Sequence, residues 1–257
     1  MSADDDLRLL DRAATKGNVA ARWLIRRLIR CKPHDPCNSG ACARCVAKWN
    51  TDLTELLVEL ASGQEVTFVS LVDPESQARP GHLHQFDHNN HKRRVKWLLR
   101  EAQFDWGLFV TDFSFNEHQQ GRYQPFWAPH HHGPVVGANL DDLKAYLRKH
   151  CKATDEVPRP WSADPWDGNP DAFRYILGVE FDRRIGRDDA VCVDGRTGKL
   201  RSPHRNVRHD ELRVGERLEL LLHLHEIGIP ARITVLRAQL RAASGDLSLL
   251  PLRQPAS

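Results

Sequence analysis

The stretch PFWAPHHHGPVV, residues 125–136, sets three consecutive histidines in an otherwise apolar run. Read as a β-strand, its side chains alternate, so His130 and His132 share one face and His131 points to the other. Two imidazoles on one face can bind a single metal ion. The strand predicted before it, WGLFVTDFSFNE at residues 106–117, offers Val110, Asp112, Ser114 and Asn116 on one face and Phe109, Thr111, Phe113 and Phe115 on the other. A lone aspartate in so apolar a strand is costly to bury unless it is paired or ligates a cation. Hairpin pairing sets Asp112 beside His130 and His132. Two imidazoles, one carboxylate and open positions suit a divalent ion such as Mn2+ or Mg2+ acting on phosphate as a Lewis acid. An exposed edge strand with solvated histidines is the competing reading of the same residues.

A second group belongs to sulfur chemistry. Four of the six cysteines, Cys31, Cys37, Cys42 and Cys45, fall inside CKPHDPCNSGACARC, while Cys151 and Cys192 stand alone. The spacing ends in a Cys-x2-Cys knuckle, and the Pro, Asn, Ser and Gly between the cysteines supply the turns that gather sulfurs around a tetrahedral zinc ion. His34 is a possible replacement for one of them. With every position filled by protein, such a site orders a small module and performs no chemistry itself.

These groups must be positioned by the elements around them. Leu7, Leu10 and Ala14, then Trp23, Leu24 and Leu28, recur at helical spacing on either side of a Gly17-Asn18 break. The second of these helices carries Arg22, Arg26, Arg27 and Arg30, a stripe that suits phosphates or simply solvent. A further helix is predicted over residues 52–63, ending at a glycine, and a strand over residues 65–73. Residues 88–103 read as a basic amphipathic helix and residues 139–150 as a helix capped by Asn139; the HQQGRYQ segment joins the two chemistry-bearing strands. Pro- and Trp-rich residues 155–172 read as a long loop, residues 214–229 as an amphipathic helix and residues 231–243 as strand-like. The fold class is α+β, an antiparallel or mixed sheet with helices on one face.

In this arrangement the chain resembles the HUH endonucleases, the superfamily of rolling-circle plasmid replication initiators. VTFVSLVD, LFVTDFSFNE, PHHHGPVV and a helix containing YILG occur in the family's order, over about residues 65–187. The resemblance implies a ferredoxin-like HUH antiparallel sheet, His130 and His132 as the histidine pair, Asp112 as the acidic ligand and Tyr175 as the nucleophile. Two positions depart from the pattern: His131 replaces the hydrophobic residue between the histidines, and Gly178 replaces the lysine of the family's Tyr-x-x-Lys, with Arg174, Arg183 or Arg184 as substitutes. From the residues alone, Tyr175 is equally a core residue between Phe173 and Ile176.

The expected organisation is a helical segment with the zinc module (1–63), a nuclease core (64–187), a basic C-terminal extension with a helix (188–243) and a disordered tail (244–257). The formal charge of +3 permits a polyanionic partner, and Arg201, Arg205, Arg208, Arg183 and Arg184 are the proposed DNA contacts. The His82-x-His84 pair reads as loop, and His88 and His91 as solvated or DNA-contacting. With no long apolar run and an acidic start, the expectation is a cytoplasmic protein with no membrane partner. The function so implied is nicking and joining of single-stranded or origin DNA. A non-catalytic zinc-containing DNA-binding protein with a degenerate core, and a metal-dependent hydrolase that needs no Tyr175, are the alternatives.

Overall fold

A computed structural model describes residues 3–174, 176–178, 181–188, 205–243 and 246–251. Two helices open the chain, α1 (Ala3–Thr15) and α2 (Val19–Arg30). They part where expected: Gly17 takes a positive φ of 93° and the Asn18 side chain accepts from Ala21 N at 2.9 Å, capping α2. The cysteine loop leads into α3 (Ala43–Ala61), which ends before Gly63 at a φ of 71°. Strand β1 (Val66–Val72), a short 3-10 turn (Leu83–Gln85) and α4 (His88–Leu98) follow.

Strands β2 (Trp106–His118) and β3 (Phe126–Val136) form the central hairpin, and α5 (Leu140–His150) returns with Asn139 as its cap. After β4 (Trp161–Pro165) and the single turn α6 (Asp171–Arg174) come β5 (Asp182–Asp188) and β6 (Arg205–Glu211). Helix α7 (Val214–Arg232) runs directly into β7 (Ile233–Leu236), and a separate hairpin of β8 (Ala238–Ala243) and β9 (Asp246–Pro251) ends the described chain.

The main sheet runs β4-β1-β3-β2, and the far edge of β2 is shared. Antiparallel β7 pairs with residues 107–110, parallel β5 pairs with residues 115–118, and β6 lies outside β5. The sheet is therefore mixed, where the family resemblance implied a purely antiparallel one.

Helices also cover both faces, not one. Helix α3 packs Val46, Leu53 and Leu57 with Leu108, Val110 and Val136, on the face that carries His130 and His132. On the opposite face α4 and α5 bury Val95, Leu99, Leu143 and Leu147 against Val69, Phe109 and Val135, and α7 buries Leu220 and Leu224 against Phe113 and Trp127. The apolar residues on both sides of β2 require this, since either face left open would expose large side chains.

Two loop expectations are corrected. The proline-rich segment contributes β4, whose residues pair with β1 from Thr67 to Leu71. Part of the predicted disordered tail is β9, which pairs with β8 and rests Leu249 in the α3 core. Its alternating leucines supply the apolar face that a tail would lack.

Candidate functional site

The register of the hairpin decides which chemical groups meet. Asp112 lies directly opposite His130, and His132 opposite Val110. On the other side of β3, Val72 faces His130 and Ser70 faces His132. Alternation then sends Asp112, Ser114, His130 and His132 to one face, as the spacing predicted, and Ser70 with them, with β3 internal to the sheet and not at an edge. They line a cleft of about 160 Å³ together with Asp182 and Arg184 of β5.

Within the cleft both histidines and the aspartate are partnered. His130 Nε2 is hydrogen-bonded to Ser114 Oγ at 2.6 Å, and Asn116 Nδ2 donates to the same hydroxyl at 2.9 Å. Burial, then the nearby Arg184 guanidinium and His132, push the His130 imidazole well below the ordinary histidine value, so it is neutral near pH 7. His132 Nε2 donates to the carbonyl of Ile176 at 2.9 Å and lies 3.5 Å from Asp112 Oδ2. The other carboxylate oxygen, Oδ1, is held by Arg232, which is itself fully buried.

Arg232 occupies the stretch of β2 edge that neither β7 nor β5 covers. There its Nε donates to Thr111 O at 3.0 Å and its Nη2 to Gly178 O at 3.2 Å. Gly178 stands hard against the same aspartate, since a Cβ at this position would lie 2.6 Å from Asp112 Oδ2. The lysine that the family pattern has here would collide with Asp112, and the buried cation beside that carboxylate comes instead from α7. Of the three arginines expected to replace the lysine, only Arg184 reaches the cleft. Arg174 is an exposed partner of Asp171, and Arg183 points to the opposite face, buried between Glu117 and Glu216.

Tyr175 lies outside the described residues. Its flanks are held at the site: Asn50 of α3 donates to Arg174 O at 2.6 Å and accepts from Leu177 N at 3.2 Å, while Ile176 O receives His132. Beyond His130 and Arg184 the cleft opens into a larger hollow of about 670 Å³, with Tyr123, Asn116, Arg159 and His209 on its walls.

The DNA contacts expected from sequence divide. Arg184 faces the cleft, Arg208 is exposed and paired with Asp210, and Arg183 is corrected to an internal ion-pair residue, because the alternation of β5 turns it toward two glutamates. Arg205 begins β6 and Arg201 lies outside the described residues.

His88 and His91, expected at a solvated or DNA-contacting surface, are buried on the far face with His131 and His223. His131 bonds Thr111 Oγ1 at 3.1 Å and stacks on His91 with ring centroids 4.2 Å apart, and Nε2 atoms of His88 and His223 meet at 2.8 Å. The apolar stripe of α4 draws both residues inward, and burial drives the imidazoles down, His88 to about 3, His91 and His223 to about 4.

The cysteine cluster closes as predicted. Sγ of Cys45 lies 3.4 Å from that of Cys31 and 3.6 Å from that of Cys37, and Cys42 lies 3.6 Å from Cys31. Tetrahedral zinc with bonds of about 2.3 Å places its sulfurs roughly 3.8 Å apart, so the residues fit that ion with little movement. Burial pushes the Cys45 thiol up to about 11, so filling the site must displace protons. All four sulfurs lie within 4.8 Å of one another, and among the described residues no other group of three or more possible ligands converges so closely. His130, His132 and Asp112 share a cleft but not that convergence. Asp182 and Arg232 were missed in the sequence; Ser114 was legible as the next residue on the face of Asp112.

Among the described residues no helix is long and apolar enough to cross a membrane. No family model, no curated protein and no solved structure matches this chain.

Proposed function

We propose that the chain is a metal-dependent DNA nicking and joining enzyme of the HUH type, acting on single-stranded or origin DNA. The observation that carries this reading is the placement of two histidines, one aspartate and an arginine around one cleft, bordered by the segment that contains Tyr175. His130, His132 and Asp112 would hold Mn2+ or Mg2+, which when bound supplies charge to polarise a phosphate. Arg184, half-buried and with its Nε unpartnered among the described residues, would grip a phosphate oxygen. Tyr175 Oη would attack the phosphorus and displace the 3′ oxygen, which leaves with a proton as a free hydroxyl; the phosphate stays on the protein as a 5′-phosphotyrosine. The larger hollow beyond Arg184 has room for the adjoining nucleotide. The cysteine cluster would hold zinc as a folding element.

The hydrogen bonds already made by both Nε2 atoms favour the alternative of a DNA-binding protein without catalysis, because each must be released before a metal enters. One assay separates the two. Purified protein is incubated with Mn2+ and labelled single-stranded oligonucleotides, including candidate origin sequences, beside the Tyr175→Phe and His130→Ala variants. A covalent protein–DNA band that survives denaturation and disappears in both variants is expected. Cleavage without an adduct would assign the site to a hydrolase, and binding with neither product would leave the non-catalytic reading.

A further inference from the structure

We propose that Arg232 is a positioning residue for Asp112, and that the cysteine loop sets its place through a bend in α7. This inference rests on the reading of His130, His132 and Asp112 as divalent-ion ligands. Helix α7 is interrupted at Gly228, whose φ of 70° and ψ of 169° turn the last residues away from the helix axis. The bend is gripped from the cysteine loop, between Cys37 and Cys42. Asn38, itself at a positive φ of 52°, accepts from Ile229 N at 2.9 Å through its carbonyl, and Gly40 N donates to Leu224 O at 3.0 Å. Ser39 Oγ bonds His225 Nδ1 at 3.2 Å, and Trp49 Nε1 holds the Asn38 side chain at 3.2 Å.

Three residues past Ile229, Arg232 enters the gap in the β2 edge. It takes Asp112 Oδ1 and leaves Oδ2 toward His132, on the side that Gly178 keeps clear. Four cysteines gathered on a metal fix the loop, the loop fixes the bend, and the bend aims the guanidinium. Loss of that metal frees the Asn38 and Gly40 contacts, and Asp112 is then able to rotate out of its ligand orientation.

The test uses the full chain with its cysteine metal in place and Mn2+ binding followed by electron paramagnetic resonance. Removing the charge of Arg232 without moving Asp112 would raise Mn2+ affinity, because a neighbouring cation repels the ion. Positioning predicts the reverse. Arg232→Gln is expected to weaken Mn2+ binding at least tenfold, and Gly228→Ala, with cysteine-metal content unchanged, is expected to weaken it in the same direction. Stripping the cysteine metal should weaken the wild type but add little in Arg232→Gln, since both act on one chain of contacts. Hydrogen exchange gives a second readout that needs no Mn2+: stripping should expose residues 225–232 and 111–114 while α5 stays protected. Unchanged or tighter Mn2+ binding in Arg232→Gln, or loss of protection confined to residues 31–45, would overturn the inference. If the wild type binds no Mn2+ at all, the functional reading fails, and the exchange pattern and the Gly228→Ala variant's exchange at 111–114 still decide whether the loop positions Arg232.

Discussion

At the scale of single residues, the cleft is organised by what each atom is denied. Asp112 has one oxygen taken by Arg232 and the other facing His132, so any side chain that fills the space beside Oδ2 competes with a ligand. Gly178→Ala places a methyl 2.6 Å from that oxygen. The expected outcome is a loss of about 1–3 kcal/mol in stability, the usual cost of overpacking, together with weaker Mn2+ binding. Urea unfolding and a Mn2+ titration of the same preparation check both.

The buried histidines make a second prediction. His88, His91 and His223 have values near 3, 4 and 4 in the folded chain, against an ordinary value of 6.5. Between pH 6.5 and 4 the unfolded chain therefore binds protons that the folded chain refuses, and stability falls as the pH drops through that window. Each lowered unit is worth about 1.4 kcal/mol, so replacing His91 by Phe should flatten the acid side of a stability–pH curve measured by urea unfolding. A curve of unchanged slope would mean that His91 is charged or solvated in the folded protein.

At the scale of elements, β3 is tied to α7 through a buried side chain. Trp127 of β3 is fully buried, edge-on to Phe115, and donates its Nε1 to Glu219 Oε2 of α7 at 3.0 Å. Glu219 also accepts from Gly81 N and Leu83 N, so one carboxylate ties the histidine strand, α7 and the loop after β1 together. Trp127→Ala should cost about 3–5 kcal/mol from the lost apolar contact and cavity, and would leave part of the carboxylate's hydrogen-bonding capacity unfilled. Thermal unfolding of the variant measures it. The shared face of the hairpin residues, set by strand alternation, was readable from the residues, whereas the pairing of β2 with β5 and β7 was not. Nothing local in DRRIGRD or ITVL states which edge each strand will choose.

At the scale of the whole molecule, a basic helix and the cysteine cluster each make a prediction. Helix α2 holds Arg22, Arg26, Arg27 and Arg30 with no acid in its first turn, and Trp23 is 64 % exposed beside Arg26. If DNA lies along this helix, replacing Arg26 and Arg30 by Gln should reduce the salt dependence of binding by roughly 0.7–0.9 per lost phosphate contact, read as the slope of log K against log salt. An unaltered slope would assign the arginines to solvent. If the cysteine cluster holds zinc, Cys42→Ser should lower the bound zinc and the melting temperature with it, measured by atomic emission and calorimetry.

What the amino-acid sequence determined by itself were the features carried by local order. The cysteine spacing, the breaks at Gly17-Asn18 and Asn139, the hairpin between residues 106 and 136, and the shared face of Asp112, His130 and His132 all follow from periodicity, turn chemistry and ligand types over short distances. Tertiary structure alone decided what lies across the cleft. Arg232 reaches Asp112 over 120 residues of chain, Arg184 is selected over Arg183 by the phase of β5, and His88 meets His223 across the far face. Each depends on how separate elements pack, because a buried charge or imidazole is placed by the cost of leaving it unpaired and not by its sequence neighbours.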